Sequence, residues 1–220
     1  LRYDPVRTYV TALIAEIGIW QQRLTRKPRL SRLHLGGGSP SLLQPDDLKR
    51  MREALDGAFI IDGDTEISLE LDPSDIREGS IAGYMDFGLT RASIGVQDFD
   101  PEVQAAINRP QGYDITRGLV EALRAAGVKS INIDALYGLP LQTMERLQKT
   151  IAQVIEIAPD RIALFGYAHV PWIKPHQKMI RDEDLPDSRQ RFAQARMAAD
   201  MIRASHGMIS LAVSKSDPGV

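Results

Sequence analysis

The 220 residues carry 27 lysines and arginines against 29 aspartates and glutamates, a formal net charge of −2, so no basic surplus or long single-sign run points to nucleic acid. Cysteine is absent, which excludes disulfides, a cysteine nucleophile and any thiolate-held metal within these residues. No apolar run approaches the ~20 residues that a membrane helix needs.

The length admits one barrel-type α/β domain or two smaller ones, with a sizeable core either way. The start, Leu-Arg-Tyr-Asp-Pro, is neither a secretory leader nor an initiator methionine. The chain reads as a cytoplasmic piece of a longer protein.

Asp4-Pro5 predicts a helix N-cap followed by proline in the first turn. Val6, Tyr9, Val10, Leu13, Ile14, Ile17 and Trp20 then recur with helical period, giving an amphipathic helix to about Leu24. A loop leads to the stretch Leu33–Pro40, in which a short buried strand ends in Gly36, Gly37 and Gly38, then Ser39-Pro40. Glycine lacks a Cβ, so this backbone can take positive φ and let a ligand approach its amides.

Pro45-Asp46-Asp47 opens a helix with Leu48, Met51 and Leu55 on its apolar side. Glu66–Leu71 alternates in period two as a strand, and a helix over Ser80–Phe87 is closed by Gly88. The strand Arg91–Val96 follows, then helices over Glu102–Asn108 and Ile115–Ala126, then the strand Lys129–Leu136. Thr143 caps a helix running to Ile157, Arg161–Tyr167 is a strand, and a polar loop leads to a last helix over about Asp187–Ser205. The four histidines His34, His169, His176 and His206 do not fall at helical ligand spacing, so no zinc site is expected.

Strand and helix alternate throughout. Gly37, Glu70, Gln97, Asp134 and Ala168 mark successive strand ends, at spacings of 33, 27, 37 and 34 residues. A (β/α) barrel of ~250 residues in eight units averages ~31 per unit, so a parallel barrel or part of one fits; a doubly wound sheet gives the same alternation. Polar residues at the C-terminal ends of strands lie on the active-site face in both architectures. Glu70 stands in an otherwise apolar strand end, where a buried carboxylate needs a partner or a ligand. Gln97 and Asp134 suit ribose hydroxyls or, for Asp134, a loop anchor. Arg109 can clamp a carboxylate or stay solvated. His169, in Tyr167-Ala168-His169, reads as a satisfied structural histidine.

Six motifs in fixed order carry a resemblance: Leu33–Pro40, Ser68–Pro73, Ser93–Phe99, Asn108–Gln111, Asn132–Pro140 and Tyr167–Trp172. Together they resemble the oxygen-independent coproporphyrinogen III oxidases (dehydrogenases) of the radical S-adenosylmethionine superfamily, from about Tyr3 to Ser210. The resemblance implies an α/β partial (β/α) barrel with parallel strands, with the first strand and cluster loop absent from this chain. Residues 1–210 would be that domain plus its following helix, and 211–220 a tail that departs from the family.

The implied cofactors are S-adenosylmethionine and a [4Fe-4S] cluster. Gly37 and Gly38 would run along the methionyl part, with Ser39 beside them; Glu70 would face the amino group and Arg109 the carboxylate. Gln97 and Asp134 would hold the ribose, and Ala168 would line the adenosyl pocket. The implied reaction uses a 5′-deoxyadenosyl radical to take hydrogen from a propionate β-carbon, and loss of carbon dioxide and an electron leaves a vinyl group. The implied partners are a tetrapyrrole substrate and an electron donor, for a cytoplasmic monomer.

The family's Cys-x3-Cys-x2-Cys motif is not in this sequence, so the chain alone is expected to be inactive. The motif is expected before Leu1, and a further omission is expected between Ser210 and Leu211. Ser39 replaces a commoner Thr and Ala135 a larger apolar residue. Heme-chaperone relatives are the alternative; Gln97-Asp98-Phe99 and Tyr167–Trp172 favour the oxidases.

Overall fold

The computed structural model describes residues 3–205 and 210–214, the last five as backbone. His206 and residues 215–220 of the expected tail lie outside the described residues. Seven α-helices and six strands are described: α1 (Asp4–Arg23), β1 (Arg32–Leu35), α2 (Pro45–Ala58), β2 (Glu66–Leu71), α3 (Ser80–Phe87), β3 (Arg91–Gln97), α4 (Pro101–Ala106), α5 (Tyr113–Ala125), β4 (Ser130–Tyr137), α6 (Met144–Glu156), β5 (Arg161–Gly166), α7 (Ser188–Ala204) and β6 (Ser210–Ser214). They form two compact units, Leu1–Ser93 with Glu121–Lys129, and Ile94–Val120 with Ser130–Val220. β3 and α5 each pass from one unit into the other. No described helix is long and apolar enough to cross a membrane.

In the first unit the strand order is β1-β2-β3. β1 and β2 are parallel, in the register His34↔Ser68 and Leu35↔Leu69. Strict alternation divides β2: Ile67, Leu69 and Leu71 are buried, while Glu66, Ser68 and Glu70 take the other face. Leu48, Met51 and Leu55 of α2 and Tyr84 and Phe87 of α3 are also buried, each worth ~1.5–3 kcal/mol of apolar transfer. Gly88 ends α3 at φ +98, a left-handed position that a Cβ disfavours. Asp4 is helical rather than capping: Tyr3 precedes the helix, and no side chain caps it.

The expected apolar side of α1 is only partly covered. Val10 is buried, but Tyr9 and Trp20 are exposed. Tyr9, with Val6 and Leu13 of α1, lines a cavity of about 450 Å³ together with Leu35 and the glycines after β1.

In the second unit the order is β3-β4-β5-β6, with β4–β5 and β5–β6 parallel. β6 was not expected; it continues the sheet from β5 in the register Ile162↔Leu211. Ile131, Ile133 and Ala135 of β4 and Ile162 and Leu164 of β5 are buried, as are Leu147, Ile151 and Val154 of α6 and Ala198 and Ile202 of α7. Thr143 caps α6 by accepting from Arg146 N, as the sequence predicts. Asp187 and Gln190 form a reciprocal capping box on α7.

A buried polar knot ties the strand-end loops of this unit together. The fully buried Asp98 accepts from Asp100 N (2.6 Å) and Thr150 Oγ1 (2.8 Å) on one oxygen and from Gln142 Nε2 (2.6 Å) on the other. Gln142 Oε1 in turn accepts from Gly138 N (2.7 Å) and Leu139 N (3.2 Å). Gln194 of α7 accepts from Gly138 N and donates to Gln142 O. Burial pushes the Asp98 carboxyl up, and these donors pull it back.

All three Asp98 partners donate, so Asp98→Asn sets a second amide donor against one of them. A loss of about 1–3 kcal/mol in urea unfolding is expected; an unchanged midpoint contradicts the network. Burial pushes the Tyr84 phenol up to about 12, and its hydroxyl donates to Ser41 O at 3.2 Å. Stability from the neutral phenol is therefore complete below the ordinary value of 10 and lost as pH rises toward 12. Tyr84→Phe is expected to make the alkaline fall in stability shallower, though not flat, because Tyr3 is raised in the same way by burial and by Asp47.

Candidate functional site

The wet face of the first unit is built in layers along paired strands. At its base Glu66 lies 3.7 Å from Arg32 and 3.8 Å from Arg91. In the next layer His34 Nδ1 meets Ser68 Oγ at 2.8 Å. At the C-terminal ends Glu70 accepts from Gly37 N at 3.2 Å and stands 3.5 Å from His34 Nε2.

Glu70 is not buried as the apolar strand end suggests. Its side chain is 50% exposed, so no desolvation cost forces a partner on it. Gly37 and Gly38 take φ +71 and +76, and a Cβ on either would meet nothing within 4 Å; both are exposed, as is Ser39 beside them. The following turn is anchored underneath: Ser41 Oγ donates to Asp75 and accepts from Asp72 N.

In the second unit Gln97 ends β3 at φ +67, a left-handed conformation that costs a residue with a Cβ about 1–2 kcal/mol. The next residue is the knotted Asp98, whose N–H turns back to Val96 O at 2.9 Å. Arg109 NH2 donates to Gly95 O at 3.1 Å. A Cβ on Gly95 would stand 3.1 Å from Gln97 Nε2 and 3.2 Å from Arg109 NH2, so the amide and the guanidinium converge over one glycine. Asp134 shares a face of β4 with Asn132, whose Nδ2 donates to Asp134 Oδ1 at 2.7 Å.

Ala168 lies exposed beyond β5, with its carbonyl accepting from Gln177 at 3.0 Å. His169 is partnered on both ring nitrogens, by Tyr167 OH at 3.3 Å and Asp182 at 3.3 Å, which suits the structural role expected for it. Burial pushes the Tyr167 phenol up.

The structure thus brings Gly37 and Glu70 together in one unit, and Gln97 and Arg109 in the other. Sequence reasoning missed His34 as the neighbour of Glu70, and Asp98, Gln142 and Gln194 as the scaffold behind Gln97. Only the period-two parity of Leu33–Leu35 could have pointed to His34; nothing local marks the two glutamines.

By chemistry, the first unit offers a carboxylate and exposed glycine backbone that suit an amino-acid end, and the second, by itself, a guanidinium that suits a carboxylate and an amide and a carboxylate that suit hydroxyls. The sequence holds no thiolate for an iron–sulfur cluster, and no described group of three or more His, Asp or Glu could hold a metal ion. The residues present therefore do not fit the cluster.

Residues 6–154 match the model of the Radical SAM superfamily. The chain is 42% identical to the oxygen-independent coproporphyrinogen III oxidase of Paracoccus denitrificans, over 91% of this chain and 45% of that protein. It is 36% identical to the protein of the same name from Pseudomonas aeruginosa, over 90% of this chain and 43% of that one. The Escherichia coli coproporphyrinogen III oxidase HemN, described as a radical SAM enzyme, superposes with a TM-score of 0.89 at 35% identity over 93% of this chain and 47% of that chain. The chain spans less than half the length of these relatives. With its motifs at the strand ends and two thirds of its length inside the family model, this chain belongs to the radical SAM superfamily.

Proposed function

We propose that the protein containing this chain performs the oxygen-independent oxidative decarboxylation of two propionate side chains of coproporphyrinogen III to vinyl groups, yielding protoporphyrinogen IX in heme biosynthesis. The observation that carries this reading is the 42% identity over 91% of the chain to an oxidase of that name. S-adenosylmethionine, when bound, would supply the radical for abstraction of hydrogen from the propionate β-carbon; a cluster to reduce it would have no thiolate ligand among these residues.

The roles of this chain's residues follow from their chemistry. Gly37 and Gly38 present backbone beside the methionyl portion, with Ser39 next to them. Glu70 takes the amino group, and Arg109, held by Gly95 O, takes the carboxylate. Gln97 and Asp134 take the ribose hydroxyls, and Ala168 lines the adenosyl pocket. The cluster ligands lie outside these 220 residues, so the chain alone is inactive.

Residues 1–210 constitute the partial barrel with its following helix, and the pairing of β6 with β5 supports carrying that domain on to Ser214. The reading includes a cytoplasmic monomer with a tetrapyrrole substrate and a separate electron donor, and no nucleic-acid or membrane partner.

The full-length protein, reconstituted anaerobically with iron and sulfide, is expected to convert coproporphyrinogen III to vinyl-bearing product with release of 5′-deoxyadenosine. Heme binding and transfer without decarboxylation would instead identify a chaperone-like relative. Asp134→Ala and Arg109→Ala are each expected to weaken S-adenosylmethionine binding about tenfold, equivalent to roughly 1.4 kcal/mol, in calorimetric titration of folded variants. Unchanged affinity in both would remove the ribose and carboxylate assignments.

A further inference from the structure

Two features of the first unit have no role in the account above: a histidine beside Glu70, and a glycine at position 36 whose φ is not left-handed. They explain each other. His34 and Ser68 are register partners on the wet face of β1 and β2, with Nδ1 and Oγ 2.8 Å apart. The opposite ring nitrogen, Nε2, stands 3.5 Å from Glu70 Oε1, while Glu70 Oε2 accepts from Gly37 N.

A neutral imidazole has one donor and one acceptor nitrogen. An ionised carboxylate only accepts, so the tautomer with its proton on Nε2 is the one that suits Glu70, and in that tautomer Ser68 Oγ donates to Nδ1. The hydroxyl holds the ring in place through Nδ1, and the imidazole restrains the carboxylate, much as outer partners orient ligating groups elsewhere. A Cβ on residue 36 would overlap His34 Nε2 and stand 2.8 Å from Glu70 Oε1. Residue 36 is glycine to admit this pair, whereas Gly37 and Gly38 serve positive φ.

We infer that His34 is a positioning residue: fixed by Ser68 and given room by Gly36, it holds the Glu70 carboxylate toward the amino group of the S-adenosylmethionine methionyl end. This rests on the reading of Glu70 as the amino-group partner. At 3.5 Å the Nε2–Oε1 contact is long for a hydrogen bond, so His34 restrains Glu70 without neutralising it, and the carboxylate keeps acceptor capacity for an ammonium.

The test is a pair of ligands, S-adenosylmethionine and methylthioadenosine, which lacks the amino-acid end, titrated into the full-length reconstituted protein. His34→Ala is expected to weaken the first about fivefold and leave the second within about twofold. His34→Gln, which keeps a donor of similar reach, is expected to restore binding, and Gly36→Ala is expected to reproduce the selective loss. Equal loss of both ligands in His34→Ala, or no loss of either, overturns the inference. Glu70→Gln separates the two readings: if it loses S-adenosylmethionine selectively while His34→Ala does not, only the role of His34 fails. If Glu70→Gln is without effect, the assignment of Glu70 fails and the inference with it.

Discussion

The constraint on which this structure depends is the two-residue period of a β-strand. In β2 it sends Ile67, Leu69 and Leu71 into the core and Glu66, Ser68 and Glu70 to the wet face. In β3 it buries Ala92, Ile94 and Val96 and leaves Arg91, Ser93, Gly95 and Gln97 opposite. A one-residue slip would bury Glu66 and Glu70 and expose their apolar neighbours, so burial of the leucines and isoleucines fixes which side chains are offered to a ligand. Specificity of the face is thus secured by hydrophobic transfer on its reverse.

A second layer of control operates at the strand ends, where helical or sheet hydrogen bonding stops. Gln97 is held in a left-handed conformation, which its own side chain does not favour. The adjoining Asp98 is fully buried and accepts three hydrogen bonds, from α6, from the start of α4 and from Gln142. The cost of placing a carboxyl there is offset because both of its oxygens meet donors. The first unit solves the same problem differently: its strand-end carboxylate, Glu70, stays half in solvent with a histidine and a backbone amide at its sides.

Much of this was legible in the sequence, for a physical reason. Period-two runs such as Glu66–Leu71, the stop signal Gly88 and the start signal Thr143 are local, and the structure places the elements within a residue or two of them. Candidate positions at strand ends also followed, because β-to-α loops carry the polar residues. What local pattern could not reveal is long-range. Gln194 joins Gly138 and Gln142 across more than fifty residues, and the exposure of Glu70 depends on which neighbours cover it. The strand β6 was missed because the stretch after Ser210 departs from the resemblance that guided the rest. Periodicity marks an apolar side on α1, but it does not show that Val6, Tyr9 and Leu13 line a cavity.

The chain belongs to the radical SAM superfamily, its polar groups stand at strand C-termini in each unit, and its sequence holds no thiolate; on the reading proposed above, those groups hold a sulfonium-bearing nucleoside. The most direct test is a crystal structure of the full-length protein with S-adenosylmethionine bound. The account predicts the amino group about 3 Å from a Glu70 oxygen and the ribose hydroxyls at similar distance from Gln97 and Asp134. A nucleoside seated away from all three side chains would contradict it.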